Sequence, residues 1–206
     1  MFIVLIPRHR LCEDVVRHSK KNIAIKIITW NCRSNFKAKT DYILLQNPDI
    51  LIVPECEKCE LETFKHISPN PTSVVWYGEN EKKGLGILCF SEYKMEVLET
   101  HNPAFKYILP IKVSYKSISF LLVAVWTHKP YVNQLMNAID FYEDILKESE
   151  IIIAGDFNSN SIWDKQNQTF SHSNLVKKLE SHNIFSTYHH FFGETQGEET
   201  IMTHNH

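Results

Sequence analysis

Residues Ile151–Asn160 read IIIAGDFNSN: four apolar residues run into Gly155, and a carboxylate and an amide follow two positions apart at Asp156 and Asn158. A short unbroken apolar run bounded by turn residues fits a strand covered on both faces. A carboxylate at the end of such a strand is held beside a low-dielectric interior, where leaving it unpaired is costly. Side chains alternate along an extended segment, so Asp156 and Asn158 share a side. A carboxylate there can take a proton from water, and an amide can hold that water or a phosphate oxygen. The same two residues also suit an Asx turn after Gly155.

A second run has the same form. DILIVPE, residues 49–55, is apolar, is closed by Pro54 and ends on Glu55. Before it, NIAIKIITWN alternates, with Ile23, Ile25 and Ile27 on one face, and ends at Trp30-Asn31. FKAKTDYILLQN reads as a short helix between the two strands, stopped by Asn47-Pro48. The middle of the chain, from SVVWYG to SISFLLVAVW, breaks into short antiparallel strands separated by turn residues, with Pro110 marking an edge or a bulge. NQLMNAIDFYEDILKES places Leu135, Ala138, Ile139, Tyr142, Ile145 and Leu146 on one helical face. HSNLVKKLESHN gives a further amphipathic helix, and IFSTYHHFF a strand and a loop.

The chain thus holds a weak internal repeat. One half runs from a strand ending at Asn31, through a helix, to a strand ending at Glu55; the other from a strand leading to His128, through a helix, to a strand ending at Asp156. Polar groups delivered to strand ends can converge at one edge of a layered α/β fold. Two packed sheets with helices outside them follow. Glu55 suits a hard cation such as magnesium, which takes one or two carboxylates plus substrate phosphates. Asn31 would orient Glu55 or a cation-bound water, and His128 would donate to a phosphoryl oxygen. Each also has an ordinary reading: Glu55 as a solvated residue after a proline, His128 as a loop histidine, Asn31 as a turn former.

Composition bounds the function. The 206 residues are 43% hydrophobic and 22% charged, as in a globular protein of one domain. The net charge of -2 gives no general attraction for nucleic acid, so polyanion binding needs a local patch or a cation. Lys20-Lys21 and Lys82-Lys83 read as solvated surface. Five cysteines include one C-x-x-C, Cys56 and Cys59, with no second pair to complete a zinc site, so free thiols are expected. No apolar run has the roughly 18 residues of a membrane span. Residues 1–22 read as a loosely attached N-terminal extension to a domain over 23–206. A cytoplasmic monomer is the expectation.

With these residues in view, TWN, PDILIVPE, VWTH and GDFNSN occur in an order that resembles the endonuclease/exonuclease/phosphatase superfamily, which includes exonuclease III-like and deoxyribonuclease I-like enzymes. The resemblance covers roughly Ile23 to Phe192. It implies a four-layer α/β/β/α sandwich of two mixed sheets with outer helices, and hydrolysis of phosphate esters, nucleic acid among them, assisted by Mg2+ or Mn2+. It implies a metal side at Asn31 and Glu55, a water-positioning pair at Asp156 and Asn158, and a phosphate contact at His128. Trp126 stands where the family's Asn-x-His element has its asparagine. The family also closes on a strand bearing a late Asp and a catalytic His. No such pattern follows Phe192, and His204 and His206 lie in a polar tail without one. The C-terminal strand is therefore expected to be missing, leaving an open sheet edge. Two functions follow: a nuclease-like phosphodiester hydrolase, or an inactive member of the fold that binds phosphate or metal. Trp76, Tyr77 and Trp163 are candidates for stacking on bases, or are simply strand and core aromatics.

Overall fold

The computed structural model describes residues 2–7, 25–64, 67–148 and 150–201. The strands are β1 (Phe2–Pro7), β2 (Ile27–Thr29), β3 (Ile50–Cys56), β4 (Ser73–Asn80), β5 (Lys83–Cys89), β6 (Lys94–Val97), β7 (Ile108–Tyr115), β8 (Ile118–Trp126), β9 (Ile151–Asp156) and β10 (Ile184–Ser186). The helices are α1 (Thr40–Leu44), α2 (Val132–Phe141), α3 (Glu143–Glu148), α4 (His172–Ser181) and α5 (Thr187–Phe192), with short 3-10 turns between elements.

Two mixed sheets result. One has the order β10-β1-β9-β8-β7-β6, the other β2-β3-β5-β4. Within them β8 and β9 run parallel, as do β2 and β3; the other pairs are antiparallel. The apolar runs are unbroken because both faces of their strands are covered. In β3, Ile50 and Ile52 face the second sheet, while Leu51 and Val53 pack outward on Phe36, Ile43 and Phe64. In β8, Leu122, Ala124 and Trp126 face the inter-sheet core, and Leu121, Val123 and Val125 face the helices. Leu135, Ala138 and Ile139 of α2 and Leu175 and Leu179 of α4 complete that outer layer. The architecture is therefore the expected four-layer α/β/β/α sandwich.

Several local expectations change. The helix read over residues 133–149 is two, α2 and α3, separated at Tyr142. Tyr142 is buried in the same core, and its Oη accepts from Asn102 N at 2.9 Å, which ties the break to the chain before β7. IFSTYHHFF ends in α5 rather than in a loop: Ser186 caps its start and Gly193, at φ 67°, terminates it. Pro110 lies inside β7, not at an edge. Its carbonyl accepts from Leu98, one residue past the end of β6, so its missing N–H falls on the side where β6 has stopped.

The N-terminus differs most. Phe2–Pro7 is not loosely attached: β1 pairs antiparallel with β9 through Phe2↔Asp156 to Leu5↔Ile153, and with β10 on its other side. β9 is thereby flanked on both sides, by β1 and β8, and the edges of its sheet are β10 and β6. The apolar run FIVLI is a local strand signal, but its partner lies some 150 positions away, where no local window reaches. Among the described residues no strand follows α5. Residues 8–24, with Lys20, Lys21 and Ile23, lie outside the described residues, as do His204 and His206.

Candidate active site at the strand ends

The C-terminal ends of β2, β3 and β9 meet between the sheets. Asp156 follows Ala154 on the inter-sheet face of β9, and is 6% exposed. Its Oδ2 accepts from Asn31 Nδ2 at 2.8 Å. The same amide nitrogen lies 3.2 Å from Glu55 Oε1. One asparagine thus bridges two carboxylates carried by different sheets.

Glu55 reaches that bridge because β3 is irregular there. Pro54 pairs with Leu85 and Cys56 with Gly84, so Glu55 is an extra residue, at φ 62°. Strict alternation would send Glu55 outward beside Leu51 and Val53. The bulge gives that outward place to Cys56 instead. A non-glycine residue in the left-handed region costs on the order of 1 kcal/mol or more, and such strain collects at functional positions.

Lys83 completes the pairing of Glu55. Its Nζ lies 2.9 Å from Oε2. Lys83 is exposed, as the reading of Lys82-Lys83 as solvated surface expects, and is in addition paired with Glu55. Burial pushes the Glu55 carboxyl up, but the hydrogen bonds from Lys83 and Asn31 and the positive charge of Lys83 outweigh it and hold the group below the usual carboxylate range.

Asp156 and Asn158 also form the turn that was the ordinary reading: Asp156 Oδ1 accepts from Asn158 N at 3.0 Å. Asn158, at φ 45°, donates its side-chain Nδ2 to Thr127 O at 3.0 Å. Thr127 in turn donates through Oγ1 to Phe157 O and through N to Asp156 O. The loop after β9 is thereby locked to the end of β8, which fixes Oδ1 of Asp156, while Asn31 holds Oδ2.

His128 stands just past β8, its ring 4.0 Å from that of Trp126 and 4.8 Å from that of Tyr107. Its Nε2 is shielded from solvent and has no hydrogen-bond partner among the described residues. Such an orphan costs about 1–3 kcal/mol. Burial, and then the charge of Lys83, lower its pKa, so the ring is neutral at pH 7 with one donor and one acceptor nitrogen.

A further network backs the loop. His172, 1% exposed, bonds Ser159 Oγ through Nδ1 at 2.9 Å and Gln196 Oε1 through Nε2 at 3.1 Å. Burial lowers its pKa. A histidine with a lowered folded pKa binds its proton more weakly than in the unfolded chain, whose value is about 6.5. Stability is then fully present above about pH 6.5 and is lost as pH falls below it. The melting temperature should fall between pH 7 and pH 5, and less steeply for His172→Gln, as followed by circular dichroism.

The aromatic candidates separate. Trp76 is partly buried in the outer core and donates Nε1 to Cys56 O at 3.3 Å; Tyr77 packs edge-on against Tyr107. Trp163, in the 3-10 turn Ser161–Trp163 after the loop, is 59% exposed. Cys56 and Cys59 are buried free thiols, and no group of three or more His, Cys, Asp or Glu suited to a metal occurs among the described residues.

The class this arrangement defines is a two-sheet α/β sandwich with polar groups gathered at strand ends. Solved structures with that fold are matched. An AP endonuclease from Archaeoglobus fulgidus superimposes with a TM-score of 0.53 at 18% identity, covering 77% of this chain and 70% of that one. A 3'-5' exonuclease from Neisseria meningitidis gives 0.51 at 18% identity, over 77% and 71%. An endonuclease/exonuclease/phosphatase family protein from Leptotrichia buccalis gives 0.53 at 15% identity, over 80% and 75%. The chain has the endonuclease/exonuclease/phosphatase fold. No protein-family model and no curated protein matches its sequence.

Proposed function

We propose that this protein hydrolyses phosphodiester bonds, with nucleic acid as the substrate class, at the cluster of Asn31, Glu55, His128, Asp156 and Asn158. The observation that carries the reading is the single Asn31 amide shared by Glu55 and Asp156 across two sheets. The oxygen donors at the cluster are the carboxylates of Glu55 and Asp156, which fit Mg2+ or Mn2+ better than a soft metal, while Asn31 turns its Nδ2 to both and its Oδ1 accepts from Arg33 N. The orphaned Nε2 of His128 supports an anionic ligand beside it. Glu55 would hold the cation, with Asn31 orienting its carboxylate through Nδ2; for Asn31 to ligate as well, its side-chain oxygen would have to leave Arg33 N. When bound, such a cation polarises a phosphoryl oxygen and offsets its charge.

The remaining steps belong to the chain. Asp156, held by Asn31 and by the Asn158 backbone, would take a proton from the attacking water. Asn158, anchored on Thr127, would steady that water through its side-chain oxygen. His128, in the tautomer with hydrogen on Nε2, would donate to the phosphoryl oxygen as charge builds. Trp163 would stack on a base. The net charge of -2 favours a short or single-stranded substrate over long duplex DNA.

The competing reading is a silent phosphate- or metal-binding protein. It is favoured by the segment 193–201, which contains neither Asp nor His where the family resemblance implies both. Cleavage of an end-labelled oligonucleotide decides between them. Cleavage should require Mg2+ or Mn2+, stop in EDTA, and be lost in Glu55→Gln. Equal cleavage by Glu55→Gln, or cleavage undiminished in EDTA, would reject the metal-dependent reading.

A further inference from the structure

The carboxylate assigned to the cation already has a cation on it. Lys83 Nζ is 2.9 Å from Glu55 Oε2, while Asn31 Nδ2 holds Oε1 at 3.2 Å, so both oxygens carry a donor. Lys83 opens β5, and its neighbour Gly84 pairs with Cys56. The ammonium therefore reaches across the bulge at Glu55. It also lies 5.5 Å from the centroid of the Trp126 ring. Trp126 is 3% exposed and is wedged against Tyr107 and His128, so that ring is a fixed surface. An ammonium over an indole gains a cation–π attraction in addition to its ion pair. Tryptophan thus gives the lysine a resting face at the position where the family resemblance implies asparagine.

The ion pair is built to open. The side chains of Lys83 and Glu55 are 46% and 24% exposed, and a lysine stem is flexible, so the ammonium can swing into water without disturbing the core. A divalent ion would sit about 2.0–2.1 Å from a ligating oxygen if it is magnesium. It cannot share Oε2 with an ammonium: three positive charges would stand within a few ångströms of one another, and like charges at that range repel strongly.

We propose that Lys83 is the resident counter-cation of Glu55, and that a divalent ion binds this site only by displacing it, so that Lys83 sets the affinity of the site for divalent ions. The inference rests on the metal-side reading of Glu55 given above. Lys83 acts here as a specificity-determining residue: it admits ions that out-compete an ammonium and leaves the carboxylate neutralised in their absence.

The test needs no substrate. Mn2+ is titrated calorimetrically into the full-length chain, its fold checked by circular dichroism, as wild type, Lys83→Met, Lys82→Met and Glu55→Gln. Methionine keeps the length of the stem and removes the charge. Lys83→Met should lower the Mn2+ Kd at least about tenfold, or reveal binding that the wild type lacks. Lys82→Met, with the same change in net charge, should leave it unaltered. A Kd for Lys83→Met equal to or above that of the wild type would overturn the inference, as would equal tightening by Lys82→Met. Undiminished binding by Glu55→Gln would instead place the ion elsewhere and overturn the metal reading itself.

Discussion

An Asp156→Ala variant should lose about 10²–10⁴-fold in kcat/KM for phosphodiester hydrolysis, the range that one positioned general base supplies. The effect is expected to be this large because the neighbouring carboxylate, Glu55, is itself paired with Lys83 and Asn31. Its Oδ2 is bound to Asn31 and its Oδ1 to the Asn158 backbone, so its orientation is fixed before substrate arrives. The loss should fall on kcat more than on KM, since the role proposed for Asp156 is on the water and not on the phosphate. The variant should remain folded. Removing these two acceptors costs about 1–3 kcal/mol, which is tolerable for a domain with three apolar clusters. Kinetics on bis-p-nitrophenyl phosphate beside a thermal melt would separate the two effects.

Gly155→Ala should be the most destabilising single methyl group in the chain. Gly155 precedes Asp156, pairs with Val125 in β8 and Ile3 in β1, and has φ 151°. A Cβ there would lie 1.8 Å from the carbonyl oxygen of Val125, well inside contact distance. Neither β8 nor β9 can yield easily, because each is packed on both faces. Overpacking and backbone strain each cost about 1–3 kcal/mol, so a loss of about 3 kcal/mol or more is expected. For a chain of this size that is a fall of roughly 6–12 °C in melting temperature. A melt unchanged by Gly155→Ala would mean that the close β8–β9 approach is not present in solution. The glycine therefore does two things: it lets the strands close, and it places the following carboxylate at the site.

Much of this was legible in the sequence, for a physical reason. β3 and β9 are short apolar runs ending in carboxylates, and burial on two faces writes that pattern directly. The α2 and α4 faces repeat at helical spacing. What was not legible depends on distant partners. The bulge at Glu55 is a two-for-one register against Leu85 and Gly84, which no local window contains. Lys83 looks like solvated charge until β5 is laid beside β3. β1 looks like an extension until β9 offers it an edge. Two local signals were missed: the apolar run of β1, and Ser186 with Gly193, a cap and a left-handed stop that together bound α5.

Strand ends from two sheets are proposed to form a working hydrolytic site. Its most direct test is release of p-nitrophenolate from bis-p-nitrophenyl phosphate by the purified full-length chain, with Mg2+, with Mn2+ and with EDTA, beside Asp156→Ala. Metal-dependent release that disappears in Asp156→Ala is the predicted result. A folded wild-type chain that releases no more product than Asp156→Ala under every condition would mean that these strand ends form no hydrolytic site.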